Sequence, residues 1–471
     1  MLNHVNRLQN GKTLSIITSA ALAIFIIFLS LFWINGSDLG AQWRWLALLM
    51  ITCAFISLLG RGASDLTPAF WYLVLAAYPL CAPMMSLDLL GMTAFASGSR
   101  ANQGIEALTA PLLIAAAAAW FLALNLSVSR ICVPAFSFAR FQGRVVSGPT
   151  ALTAFLVTSA ALLVANQIDA PWDTLQLGRV TYKDLKANRD DALNFASGLV
   201  LVFGAASTLC LAVLMVSDEL TRRLKRRCAF GFGLIVSLTV FWQLMAASRV
   251  EAVGLLLIQY LCFGDRLRPG LRFLSVVLSV AVLALIGYIR TLAGALAYLS
   301  RDFIAWPGGV ENVIFTYAET LNAIRHDTLN LQFGETYLAI LLRLPPQFFG
   351  YDRPPRAYDL IAEQTRLIGG EYYLTEPFMN FAGLGMLVFC FGLICCFNWA
   401  VRQLTALYFG ETNFFQALIS LVLFTVCFRT IWYGLEHTVK VLMLAGIIGL
   451  PLLAIQSAWR NSGKPARRAA S

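Results

Sequence analysis

Charge is scarce in this sequence. Asp, Glu, Lys and Arg together make up 13% of its 471 residues, about half the ~25% of an ordinary soluble domain. That shortage excludes a water-soluble globular enzyme, whose surface needs solvated charge. Histidine occurs three times. No Asp-x-Asp pair occurs anywhere, which argues against a diphosphate bridged by a carboxylate-held metal. There is no internal repeat, no low-complexity tract and no Cys/His spacing of the metal-binding kind, which removes solenoids and zinc modules. The ten cysteines fall in or beside apolar blocks or on the basic side of the chain. None lies in an expected external loop, so no disulfide framework is implied.

Hydrophobicity is what the chain has in excess: 59% of its residues are hydrophobic, with a mean hydropathy of +0.71. Apolar blocks fall near 13–34, 45–60, 69–95, 107–126, 150–166, 194–217, 229–247, 250–264, 273–290, 376–399, 414–432 and 438–458. At roughly 20 residues per span, they predict an all-α polytopic membrane protein with about 12 transmembrane helices. The whole chain, 1–471, reads as a single integral membrane domain. The first block is longer than a signal-peptide core and lacks a small-residue cleavage site, so it reads as a retained anchor.

The net charge of +10 is distributed as loop charge. Arg7 and Lys12 precede the first span; Arg61, then Arg130, Arg140 and Arg144, then the clusters 222–227 and 266–272 occupy alternate loops. Basic loops face the cytoplasm, so both termini are expected there. A nucleic-acid partner would want such charges on one soluble face, and no such face is present.

Most loops are short, but two external segments are not: about 167–193, and a longer one from about 291 to 375, between spans nine and ten. Loops this long are functional or disordered. The second carries Trp306-Pro307-Gly308-Gly309, Pro345-Pro346, Pro354-Pro355 and Gly369-Gly370, with short apolar stretches such as 336–342. Those stretches are too short to span and suit interfacial or re-entrant helices. The alternation of loops places this one outside the cytoplasm, and chemistry is expected there.

Three arginines lie at or near the external ends of spans: Arg249 where two apolar blocks meet, Arg290 ending the ninth, and Arg429 within the eleventh. A charge at membrane depth faces protein or a wet cavity; Arg249 and Arg290 can alternatively snorkel to the interface. The loop holds six arginines against nine acidic residues, a net of −3, so it is no bulk basic surface. Among them Arg343, Arg353 and Arg356 stand near prolines that fix the backbone. A rigid guanidinium cluster suits a diphosphate. Candidate bases are His326, the one histidine of the loop, His437, which follows Glu436 before the last span, and Glu376, which lies one helical turn from Asn380 and shares its face. Tyr372 and its aromatic neighbours serve either as sugar-stacking platforms or as an interfacial belt.

In order, Ser248-Arg249-x-Glu251, Gly334-Glu335-Thr336-Tyr337, Arg343-Leu344-Pro345, Arg353-Pro354 and Gly369-Gly370-Glu371-Tyr372-Tyr373, followed by Glu376, Asn380, Gly383 and Gly385, resemble the Wzy-type polysaccharide repeat-unit polymerases of bacterial inner membranes. The resemblance covers about 240–390; the first 230 or so residues match only in hydropathy. It implies a membrane glycosyltransferase-like fold, with the long loop periplasmic and carrying short helices. The implied substrate is an undecaprenyl-diphosphate-linked oligosaccharide. The growing glycan is moved from its lipid diphosphate onto the distal sugar of a new lipid-linked repeat. Implied partners are a chain-length regulator and a flippase, with no resident cofactor or metal. On this reading Arg249, Arg290 and Arg429 hold the diphosphate, Arg343 and Arg353 close from the loop, and Glu376 or His326 takes the acceptor proton. Two other readings stay open. An O-antigen ligase, which places finished polymer on a lipid core, is kept alive by Arg325-His326. A transporter or flippase is disfavoured because the two halves do not match and the charges crowd span ends.

Overall fold

The structure, a computed structural model, describes residues 148–169, 196–217, 219–245, 249–263, 320, 323–324, 326–344, 354–364, 374–408 and 414–462. Among these residues every regular element is a helix: α1 (Gly148–Asp169), α2 (Ala196–Val216), α3 (Arg222–Met245), α4 (Arg249–Phe263), α5 (Glu335–Leu342), α6 (Ala357–Gln364), α7 (Thr375–Tyr408), α8 (Phe414–Tyr433) and α9 (Leu435–Ser462). Three are long and apolar enough to cross a membrane, over Gly148–Ile168, Gly198–Met215 and Arg222–Leu244. The protein is thus a helical, membrane-associated chain. The expected spans near 13–34, 45–60, 69–95, 107–126 and 273–290 lie outside the described residues.

α2 is the central post. It packs against α1, α3, α4, α8 and α9, and nearly all of its residues from Val200 to Leu214 are buried. Helices in lipid gain little from apolar burial alone and depend on close backbone approach and interhelical hydrogen bonds. Both occur here. A methyl group on Gly204 would collide with Leu255, and one on Gly254 would collide with Leu201. The two helices therefore exchange a leucine for a glycine in each direction. Gln259 Nε2 of α4 donates to Thr208 Oγ1 of α2 at 2.6 Å, and Gln243 Nε2 of α3 donates to Asn166 Oδ1 of α1 at 2.9 Å. Each bond ties two helices at a named register.

Two expectations are corrected. The basic run 222–227, expected as loop, forms the first turns of α3. Arg and Lys are good helix formers, and Thr221 caps the turn by accepting the Leu224 N–H at 3.4 Å. Lys225 Nζ reaches back to the Met215 carbonyl at 3.3 Å, satisfying the end of α2. The apolar block near 376–399 is likewise not one straight helix. α7 breaks at Phe381 (φ −138°, ψ 21°) and Ala382 (φ 52°, ψ −143°). The break leaves a stub, 375–380, before the long apolar run that follows. Pro377 is tolerated in the stub because it falls in the first turn, where its missing N–H has no intrahelical role.

The loop helices sit on this stub. Ala323 and Leu329 of the loop, Ala357 and Ile361 of α6, and Met379 of α7 form a small core of their own. The carbonyls of Met379 and Asn380, freed by the break, accept the N–H groups of Gln332 at 3.0 Å and Phe333 at 3.2 Å. Backbone groups that a helix would otherwise pair are thus satisfied by the loop.

Candidate functional site: a buried carboxylate where the loop meets the bundle

Glu376 lies in the stub of α7, ahead of the break, and is 4% exposed. Burial pushes its carboxyl up to about 7; the Thr336 hydroxyl opposes this, the negative charge of Glu436 adds to it, and the Leu435 N–H opposes it. The groups acting on it come from two elements: Thr336 on α5, and Leu435 and Glu436 at the start of α9. The arrangement depends on the loop, because α5 supplies Thr336.

Asn380, fully buried one turn along, fixes that geometry. Its Nδ2 donates to Thr336 Oγ1 at 2.6 Å and to the Glu376 carbonyl at 2.9 Å. Its Oδ1 accepts the Gly334 N–H at 2.7 Å. Accepting one hydrogen bond from Asn380, the Thr336 hydroxyl turns its own hydrogen to the Glu376 carboxylate. Gly334 begins α5 with φ 97° and ψ −3°, a left-handed conformation that suits glycine. The preceding Phe333 is also left-handed, at φ 45°, which is costly for a side chain with a Cβ. The hydrogen bonds to residues 379 and 380 hold it there.

A second carboxylate, Glu436, borders Glu376 and is itself tied to a buried arginine. Arg343 ends α5 and is 7% exposed. Its Nε pairs with Glu436 Oε1 at 3.4 Å, and its Nη1 donates to the Pro354 carbonyl at 2.6 Å. Glu436 also pairs with Lys440 one turn further along α9. Burial pushes the Glu436 carboxyl up, but Lys440, Arg343 and Arg356 outweigh it and hold the group below its ordinary value. Two carboxylates side by side are thereby driven apart, one kept ionised and the other brought near neutrality. Thr375 Oγ1 is buried beside Glu376 without a hydrogen-bond partner among the described residues.

The expected site residues fare differently. Glu376, Asn380 and Arg343 are brought together around α5, α7 and α9. His326 is exposed on a turn next to Asp327 (φ 55°), on the outer side of the small loop core. Arg249 is the first residue of α4 and Arg429 lies in α8, but their side chains lie outside the described residues. Arg290, Arg353 and Tyr372 lie wholly outside them. Arg356 is half exposed, pairs with Asp359 at 3.6 Å and gives its N–H to the same carboxylate at 2.9 Å; such a surface pair contributes little and serves mainly to start α6. Lys440 was not singled out by sequence, although Glu436 and Lys440 at i and i+4 on one helix are a readable pair. Among the described residues, no His, Cys, Asp and Glu grouping could hold a metal ion. No protein-family model matches the chain, no curated protein matches it, and no solved structure matches it.

Proposed function

We propose that the protein is a membrane glycosyltransferase that polymerises lipid-linked oligosaccharide repeat units, with Glu376 as the base. The observation that carries the reading is the near-neutral Glu376, buried at the junction of loop and bundle beside Glu436, whose own charge is paired with Arg343 and Lys440. A base with pKa near the working pH both accepts a proton and exists in its basic form. In the proposed step the acceptor sugar hydroxyl gives its proton to Glu376 as its oxygen bonds to the anomeric carbon of the donor. The bond from that carbon to the lipid diphosphate breaks, and the diphosphate leaves with its electron pair. Arg249, Arg290, Arg353 and Arg429 stabilise the departing charge, while Arg343 holds the loop against α9. The full reading has about twelve spans, a single domain over 1–471, both termini cytoplasmic and the site on the periplasmic side of a bacterial inner membrane. Its donor and acceptor are undecaprenyl-diphosphate-linked oligosaccharides, and a chain-length regulator and a flippase act beside it.

The test is a gel profile of surface polysaccharide from a clean deletion carrying wild-type, Glu376→Gln or Arg249→Ala protein at matched membrane levels. Wild type restores a ladder; both variants leave single repeats. A normal ladder from Glu376→Gln removes the base from the mechanism. Full-length polymer stranded on its lipid carrier in the deletion assigns the chain to ligation.

One observation favours a transporter reading. The broken helix α7, with buried ionisable groups beside the break, is a device transporters use to bind substrate. A deletion that keeps repeats on the cytoplasmic leaflet decides for it.

A further inference from the structure

α3 begins in an electrostatically unfavourable way. The N-terminus of a helix carries partial positive charge, yet Arg222, Arg223, Arg226 and Arg227 all stand in its first two turns and no acidic residue accompanies them. They fall in two adjacent i, i+4 rows, where like charges repel. The nearby charged groups that are described are engaged elsewhere: Lys225 with the Met215 carbonyl and Glu219 with the Gly148 N–H at 2.6 Å. Among the described residues none of the four arginines is ion-paired. The four line an open concavity of about 340 Å³ whose remaining wall is Phe230.

The concavity continues into an apolar track. Phe230, Leu234, Leu238 and Phe241 follow at helical spacing and are 72, 51, 59 and 53% exposed. Gly231 and Gly233 beside Phe230 have open space where a side chain would be. Cations at one end and an apolar stripe along the same helix match the two halves of one amphiphile. A zwitterionic headgroup would bring its own cation into the cluster, whereas a phosphate with no amine would neutralise it. We propose that the arginine-lined concavity at the start of α3 seats the phosphate of an acidic glycerophospholipid, with an acyl chain lying along Phe230, Leu234, Leu238 and Phe241. Clusters of this kind next to a span attract anionic lipid, and the guanidinium fork binds phosphate bidentately. The site is independent of Glu376 and of the polymerase reading.

The test uses the full chain purified in mild detergent, mixed with phosphatidylglycerol or phosphatidylcholine and measured by native mass spectrometry. Wild type is expected to retain phosphatidylglycerol at least 10-fold more than phosphatidylcholine. The variant R222Q/R223Q/R226Q/R227Q is expected to lose that preference while keeping its melting temperature within a few degrees. Should the quadruple variant not fold, R226Q/R227Q serves, with a loss of roughly half the preference. Leu234→Ser with Leu238→Ser should weaken retention with every arginine in place. Equal retention of both lipids by wild type, or an undiminished preference in the arginine variants, overturns the proposal. Displacement by millimolar inorganic phosphate, with no effect of the serine substitutions, also overturns it and makes the site one for free phosphate.

Discussion

At the scale of single residues, Glu376 concentrates the consequences. Its folded-state carboxyl is raised to about 7 from an ordinary value of 4.5. The stability tied to it is therefore fully present below pH 4.5 and is lost as pH rises through 7. Glu376→Gln should raise thermal stability at pH 8 by on the order of 1–3 kcal/mol, an advantage that vanishes at pH 4.5, while polymer formation is lost. On the proposed function, activity of the wild type runs the other way, falling below pH 7 as the base is protonated; in vitro extension of a lipid-linked repeat across pH 5–8 checks this, and melting at pH 8 and pH 4.5 checks the stability difference. Glu436→Gln removes a negative charge that raises Glu376 and should move the acidic limb of that profile to lower pH. An unmoved limb would mean that another group titrates. Of this site, Glu376 and Arg343 were legible because charge is rare in the chain and each instance draws notice, and Asn380 because it lies one helical turn from Glu376. The pairing of Arg343 with Glu436, 93 residues away, was not, since no local pattern encodes a contact between a loop and the last helix.

At the scale of elements, the helices were readable wherever apolar blocks were long, as in α1 and α2, because their all-round hydrophobicity leaves no other fold in lipid. The break in α7 was not: Phe-Ala-Gly-Leu-Gly reads as ordinary span sequence, and the cause is tertiary. The loop provides donors for the carbonyls of Met379 and Asn380, and Gly385 fits against the Pro377 carbonyl only without a side chain. Asn380→Ala should remove the acceptor of the half-buried Gly334 N–H and the donor to the buried Thr336 hydroxyl, costing about 1–3 kcal/mol. The effect belongs to the loop junction, so limited proteolysis near residues 330–345 should accelerate while global melting changes less. Gly334→Ala should act in the same direction through its positive φ, by about 1–2 kcal/mol.

At the scale of the whole molecule, the post formed by α2 sets the tolerance to change. Gly204→Ala places a methyl group into Leu255 and should cost about 1–3 kcal/mol, read as loss of monodisperse protein on size-exclusion chromatography. Adding Leu255→Ala should restore part of it, because the two positions interlock. The junction of loop and bundle has a different kind of consequence. The segment 332–343 is joined to α7 by backbone hydrogen bonds and to α9 by an ion pair, so the loop is no detachable cartridge. A chimera that replaces the segment ahead of α7 with another protein's would leave the carbonyls of 379 and 380 and the carboxylate of Glu436 with foreign neighbours. The unit that can be exchanged, by recombination in nature or in the laboratory, is the loop together with the first turns of α7 and α9.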